Sequence, residues 1–311
     1  MNLRKFILKT LFTLILPIIC SLVVYEYYYR EMPNVYKVKE SYLTQNASNI
    51  EVLILGSSHS YFGIDPFHFS YSAFNAANVS QDLRCDSFIF DKYKESLSNL
   101  KALILPISYF SFWGNLENGN EDWRVRKYNI YMGMNSHPWY YLKYNFEFTQ
   151  VGNKELFKYF LGLKESVDCD SLGMGTSFAL DKRNKNWKSS GVIAGRRHTI
   201  QADSFQLVET MKKNIQYVTS IISECQKHHI EVLLVTMPAY HSYYENLNEC
   251  QLKLMDKEIQ RLILTEGVDY INLLKDERFS DDDFYDADHL NEYGARKVSS
   301  ILNDILKRMD I

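Results

Sequence analysis

The chain has little glycine, no paired-cysteine metal pattern and almost no net charge, and each shortage removes a class of protein. Only 13 of 311 residues are glycine, and there is no internal repeat or low-complexity tract, so a fibrous or linker-like chain is excluded. The formal net charge of −3 gives no basic footprint for nucleic acid, which is not expected as a partner. The five cysteines (Cys20, Cys85, Cys169, Cys225 and Cys250) contain no CxxC and no metal-ligand spacing. The histidines do not cluster as ligands either, and no metal or other cofactor is expected. Buried free thiols are expected at Cys85 and Cys225, which fall on apolar helical faces.

What is present is 46% hydrophobic residues and 23 tyrosines, ample for one large α/β core. At the N-terminus, Arg4, Lys5 and Lys9 precede an uncharged stretch from Thr10 to Tyr25. With Phe6, Ile7 and Leu8 added and Lys9 snorkelling, this reaches the ~20 residues that a spanning helix needs. Tyr25, Tyr27, Tyr28 and Tyr29 would sit at the far interface. A cleaved signal peptide is the alternative, but VVYEYYYR offers no small-x-small cleavage site. The basic flank places the N-terminus inside and the body outside the cytoplasmic membrane. The expected divisions are a flank and anchor over 1–30, a stalk over 31–50, and one domain over 51–311 with an insertion at 108–203.

The domain opens on EVLILGSSHSYFGIDP, Glu51 to Pro66. Val52–Leu55 reads as a strand buried on both faces, stopped by Gly56, which permits a sharp turn. Ser58 then stands at the carboxyl end of a buried strand, where open α/β sheets place ligands. It is either a nucleophile or part of an ordinary capped turn. Near the other end, FYDADHLNEYGARKVSSIL sets Asp286 three residues before His289, ahead of a helical pattern. A histidine base needs an acceptor on its second ring nitrogen, and Asp286 is within one turn. The alternative is an Asp-rich loop that only solvates and caps the last helix.

Together these stretches resemble the SGNH/GDSL hydrolase superfamily, which has a Gly-x-Ser turn after its first strand and Asp-x-x-His before its last helix. The resemblance implies Ser58, Asp286 and His289 as a catalytic triad. FNAANVSQ (Phe74–Gln81) is similar to the family's second block, with Ser80 in place of an oxyanion-hole glycine. LILPISYF (Leu103–Phe110) is similar to the third, with Ser108 in place of asparagine, and Ser57 replaces the aspartate of the first block. The implied oxyanion hole is Ser58, Ser80 and Ser108. The fold expected is a three-layer α/β/α, flavodoxin-like parallel sheet of about five strands, with an N-terminal transmembrane helix and a large insertion after the third strand.

The implied activity is that of an esterase or O-acyltransferase on acyl groups, acetyl above all, of a cell-envelope polysaccharide. A non-catalytic glycan-binding or assembly protein that keeps the fold is the rival reading, favoured by the replaced Gly and Asn donors. The remaining elements expected are helices over 80–99, 202–229, 247–266 and 291–308, with strands over 101–107, 230–237 and 268–271. The insertion is rich in aromatics, including Trp113, Trp123, Trp139, Tyr140, Tyr141 and Trp187. It reads either as a lid able to stack on sugar rings or as a small satellite core. Lys182 to Lys188 and Arg196, Arg197 and His198 read as basic patches, either for an anionic glycan or phosphate or as a solvated face.

Overall fold

The structure is a computed structural model, and it describes residues 3–149, 157–159, 161–163, 167–200, 205–309 and 311. The chain divides into two compact units, one of Met1–Lys37 with Asp122–Val167 and one of Val38–Glu121 with Asp168–Ile311.

The second unit is built on five parallel strands: β1 (Val52–Ile54), β2 (Ala73–Asn75), β3 (Ala102–Pro106), β4 (Glu231–Thr236) and β5 (Val268–Asn272). Their order is β2-β1-β3-β4-β5. The chain moves outward in one direction from β1 to β2 and in the other from β3 to β5. The reversal opens a crevice beyond the carboxyl ends of β1 and β3. Strands β1, β3 and β4 are apolar nearly throughout, as strands covered on both faces are, whereas β5 carries Asp269 and Asn272 and is only partly buried.

Alternation along the strands sends Val52, Ile54, Ala102, Ile104, Leu233 and Val235 to one face. There they share a core with Val298, Leu302 and Leu306 of the closing helix, Glu292–Arg308. The spacing of these three at four-residue steps makes one apolar stripe. Leu302 is fully buried, and its truncation to alanine would cost about 2–5 kcal/mol. The helices Leu83–Tyr93 and Phe205–Lys227 pack on each other, and the second also packs on β4.

Several boundaries differ from the sequence expectation for local reasons. The helix expected over 80–99 runs from Leu83 to Tyr93, because the Asp82 side chain accepts the Cys85 N–H and fixes the start. The closing helix starts at Glu292 because Asn291 accepts the N–H groups of Tyr293 and Gly294. The helix expected from Ala202 is described from Phe205, and residues 201–204 lie outside the described residues. The stretch 31–50, expected as a stalk, holds the helix Val35–Asn46, on which Lys39 and Leu43 are fully buried. All five cysteines are free, with Cys85 and Cys225 buried as expected.

The first unit contains the helix Leu3–Glu31. Its most apolar stretch has a mean hydropathy of 2.4, long and apolar enough to cross a membrane. Pro17 lies inside it and removes one helical N–H. In the same unit Glu147 is fully buried between Arg126 (3.2 Å) and Lys127 (2.6 Å). Such a buried charge is tolerable only because it is paired twice.

Candidate active site

The turn after β1 is set by Gly56. Its φ is +112°, and a Cβ there would lie 2.4 Å from Ser60 Oγ, so no side chain fits. The Gly56 N–H donates to Asp86 Oδ1 at 2.8 Å, and the same oxygen accepts Gln81 Nε2 at 2.7 Å. Asp86 is almost fully buried, and burial pushes its pKa up to about 7 against the pull of these two bonds. It ties the β1 turn to the loop that carries Ser80. Sequence reasoning passed over Asp86 because it reads as one more polar residue on a helix.

Ser58 is the first residue of the short helix Ser58–Gly63, so its N–H has no partner within the helix. Its side chain is partly exposed and faces a cavity of about 670 Å³. Across that cavity wall, Ser58 Oγ lies 2.9 Å from His289 Nε2. His289 Nδ1 lies 2.9 and 3.1 Å from the two Asp286 oxygens, and Asp286 Oδ1 also accepts the His289 N–H at 2.8 Å.

The loop that delivers this pair is pinned on both sides. Phe284 and Leu290 form an antiparallel bridge, and the Asn291 side chain donates to Asp282 O (2.8 Å) and Phe284 O (3.3 Å). Tyr240 N–H donates to Ala287 O at 2.9 Å. An imidazole held in this way keeps one ring orientation.

Of the oxyanion candidates, the structure brings Ser58 and Ser80 to the cavity and leaves Ser108 out. Ser80 has φ +58°, a left-handed conformation that a glycine would enter freely. Its hydroxyl donates to Glu121 Oε2. Ser108 is 4% exposed, and its Oγ sits 2.9 Å from His59 Nδ1, so its hydroxyl is committed to a ring outside the cavity lining. The structure thus brings Ser58 and Ser80 together at the cavity and sets the Ser108 hydroxyl, expected as a third donor, against His59 instead.

Three further residues shape the electrostatics. Asp288 is buried, with one oxygen 3.7 Å from His289 Nδ1 and the other 3.3 Å from Arg197 Nη2. Burial opposes its charge, but the adjacent His289 holds its pKa well below the carboxylate range. Burial would likewise lower His289, yet the Asp288 and Asp286 carboxylates outweigh it and lift the imidazole to about 9. At His59 and His198 burial outweighs the pull of the same Asp288 carboxylate. Burial lowers His59, and it lowers His198 to about 3, so both are neutral at pH 7.

Phe178, from the insertion, stacks between Phe62 (3.7 Å between ring centroids) and Tyr285 (4.0 Å). Its edge lies against the His289 ring at 5.2 Å and 82°. None of the tryptophans and tyrosines singled out from the insertion lines the cavity, whereas Phe178, Arg197 and His198 do. The sequence offered no mark that separates Phe178 from other aromatics.

Among the described residues, His59, Asp288 and His289 each place one possible ligand atom within 4.8 Å of the others. Both His289 nitrogens already face Ser58 and Asp286, and His59 Nε2 is 3.8 Å from Asp288. A metal ion would have to displace the Ser58 or Asp286 contact, so the donor set does not fit one.

No protein family model matches the chain, and no curated protein matches it. Among solved structures, the chain is similar to a Bacteroides fragilis protein described as a "putative acylhydrolase". The two are 11% identical over 86% of this chain and 95% of that one, with a TM-score of 0.41. A likeness that distant carries no functional argument, which leaves the weight on the geometry.

Proposed function

We propose that the protein is an SGNH-type serine esterase or O-acyltransferase acting on acyl groups of a cell-envelope polysaccharide. The observation that carries this reading is the alignment Ser58 Oγ–His289 Nε2 at 2.9 Å with Asp286 on the other ring nitrogen. Nucleophile, base and orienting carboxylate stand in hydrogen-bond sequence at the wall of a cavity. Ser58 Oγ attacks the acyl carbonyl carbon while His289 Nε2 takes the hydroxyl proton, and Asp286 stabilises the imidazolium. The N–H groups of Ser58 and Ser80 hold the oxyanion. Collapse breaks the ester C–O bond, the alcohol leaves with the proton from His289, and the acyl group stays on Ser58. Water or a sugar hydroxyl then repeats the sequence in reverse.

The Leu3–Glu31 helix serves as an uncleaved anchor, with the N-terminus inside and the body outside the cytoplasmic membrane; its basic flank supports that orientation. The rival reading, a glycan-binding or assembly protein without turnover, gains from one observation: the Ser108 hydroxyl is spent on His59.

The test is acetate release from O-acetylated polysaccharides, and acetyl transfer between them, by wild type and Ser58→Ala. Release or transfer by wild type alone supports the enzyme. Binding to the same polysaccharide with equal, background release by both proteins contradicts it.

A further inference from the structure

Trp139, Tyr140, Tyr141 and Leu142 are consecutive, and all are exposed, at 75%, 61%, 49% and 45%. Four adjacent large apolar side chains in water are a liability unless something covers them. Their neighbourhood identifies the cover. The Asn145 side chain donates to Pro138 O (2.8 Å) and Tyr141 O (3.1 Å), which folds this stretch into a turn. That turn is fastened to the apolar helix. Arg30 Nη2 donates to Asn145 O at 3.0 Å, and the Phe148 N–H donates to Glu26 Oε2 at 2.9 Å. Arg30 and Glu26 are themselves paired at 2.6 Å, so the two fastenings act together.

The level of this fastening matters. The helix carries no charge from Thr10 to Tyr25, and Glu26 is the first charged residue beyond that stretch. Glu26–Arg30 is therefore where a spanning helix would leave the hydrocarbon. On the helix at that level, Tyr27 and Tyr28 are exposed, at 61% and 41%. Tryptophan and tyrosine favour the headgroup boundary, where the ring is dehydrated and the polar tip stays wet.

We propose that Trp139–Leu142 and Tyr27–Tyr28 form one aromatic collar that seats this unit in the headgroup region of a phospholipid bilayer. The collar belongs to the same compact unit as the helix, so it would hold the helix exit at a fixed depth and the unit against the membrane surface. The proposal rests on the helix spanning that bilayer, and it is independent of the acyl chemistry.

The experiment uses the full chain in phosphatidylcholine vesicles whose lipids carry bromine either near the headgroup or deep in the acyl chain. Trp113→Phe, Trp123→Phe and Trp187→Phe leave Trp139 as the reporter of the four tryptophans. The expected result is loss of Trp139 fluorescence with shallow bromine and much less loss with deep bromine. Because the triple variant could misfold, wild type and Trp139→Phe are compared as well; the shallow quenching should fall in the single variant. A Leu14→Trp reporter placed in a background lacking Trp139 checks the helix. Quenching at position 14 without quenching of Trp139 overturns the collar while leaving the anchor intact. Absence of quenching at both positions overturns the anchor and the collar with it.

Discussion

Phe178 and Trp139 come from the same expected insertion and have opposite surroundings. Phe178 is stacked between Phe62 and Tyr285, with its edge on His289. Trp139 is 75% exposed and meets the ring of its neighbour Tyr140. The difference follows from what each segment is tied to. Near Phe178, Arg183 donates to the carbonyls of Asp281 and Phe284 on the loop that delivers His289, and Leu180 N–H donates to Glu292. Near Trp139, the ties run through Asn145 and Phe148 to Arg30 and Glu26 on the apolar helix. Aromatic content therefore does not assign a role to this insertion; the anchoring bonds do.

If one half of the insertion serves the acyl reaction and the other serves the membrane, substitutions should rank accordingly. The largest losses belong to Ser58→Ala and His289→Ala. Each should lower turnover of an activated ester by roughly 10³-fold or more, and the double variant should be scarcely worse, because the two act as a unit. Asp286→Asn should retain more activity than either, since Asp288 stands 3.7 Å from His289 Nδ1 and sustains part of the imidazolium stabilisation.

The pH profile comes next. A base must be neutral to accept a proton, and His289 is lifted to about 9, so the rate should rise from neutral pH through that value. Asp288→Asn removes one of the two carboxylates that raise it, and the midpoint should move to lower pH. A profile already flat at pH 7, unchanged in Asp288→Asn, would break this part of the account.

Phe178→Ala frees one face of the His289 pocket and should lower kcat/KM by roughly 10–10²-fold, as loosened positioning does. Ser108→Ala should cost less than about tenfold, well below the ~10²–10³ of a lost oxyanion donor, because its hydroxyl bonds His59 instead. Trp139→Ala should leave turnover of a soluble ester unchanged. Steady-state rates on p-nitrophenyl acetate check all three, and equal losses for Phe178→Ala and Trp139→Ala would erase the distinction between the halves.

Strands β1, β3 and β4 were legible because they are short apolar runs followed by Gly56, Ser108 and Pro238, a local pattern that needs no partner to be read. The juxtaposition of Ser58 with His289 was legible only through resemblance, since 231 residues separate them. Asp86 and Ser108 were not legible. Whether a buried carboxyl meets the Gly56 N–H at 2.8 Å, or a serine hydroxyl meets His59 at 2.9 Å, depends on how segments 30 and 49 residues apart are brought together in the fold. The same limit hid the helix Val35–Asn46, whose low amphipathicity resembles a linker until Leu43 and Lys39 are seen buried.

The central claim is that Ser58 is a nucleophile activated by His289. The most direct measurement is covalent labelling by a serine-reactive fluorophosphonate, followed by peptide mapping, across pH. The account expects one adduct, on Ser58, formed faster as pH rises through about 9 and absent from Ser58→Ala and His289→Ala. Labelling of wild type at another serine, or no labelling of the folded protein at any pH, would contradict it.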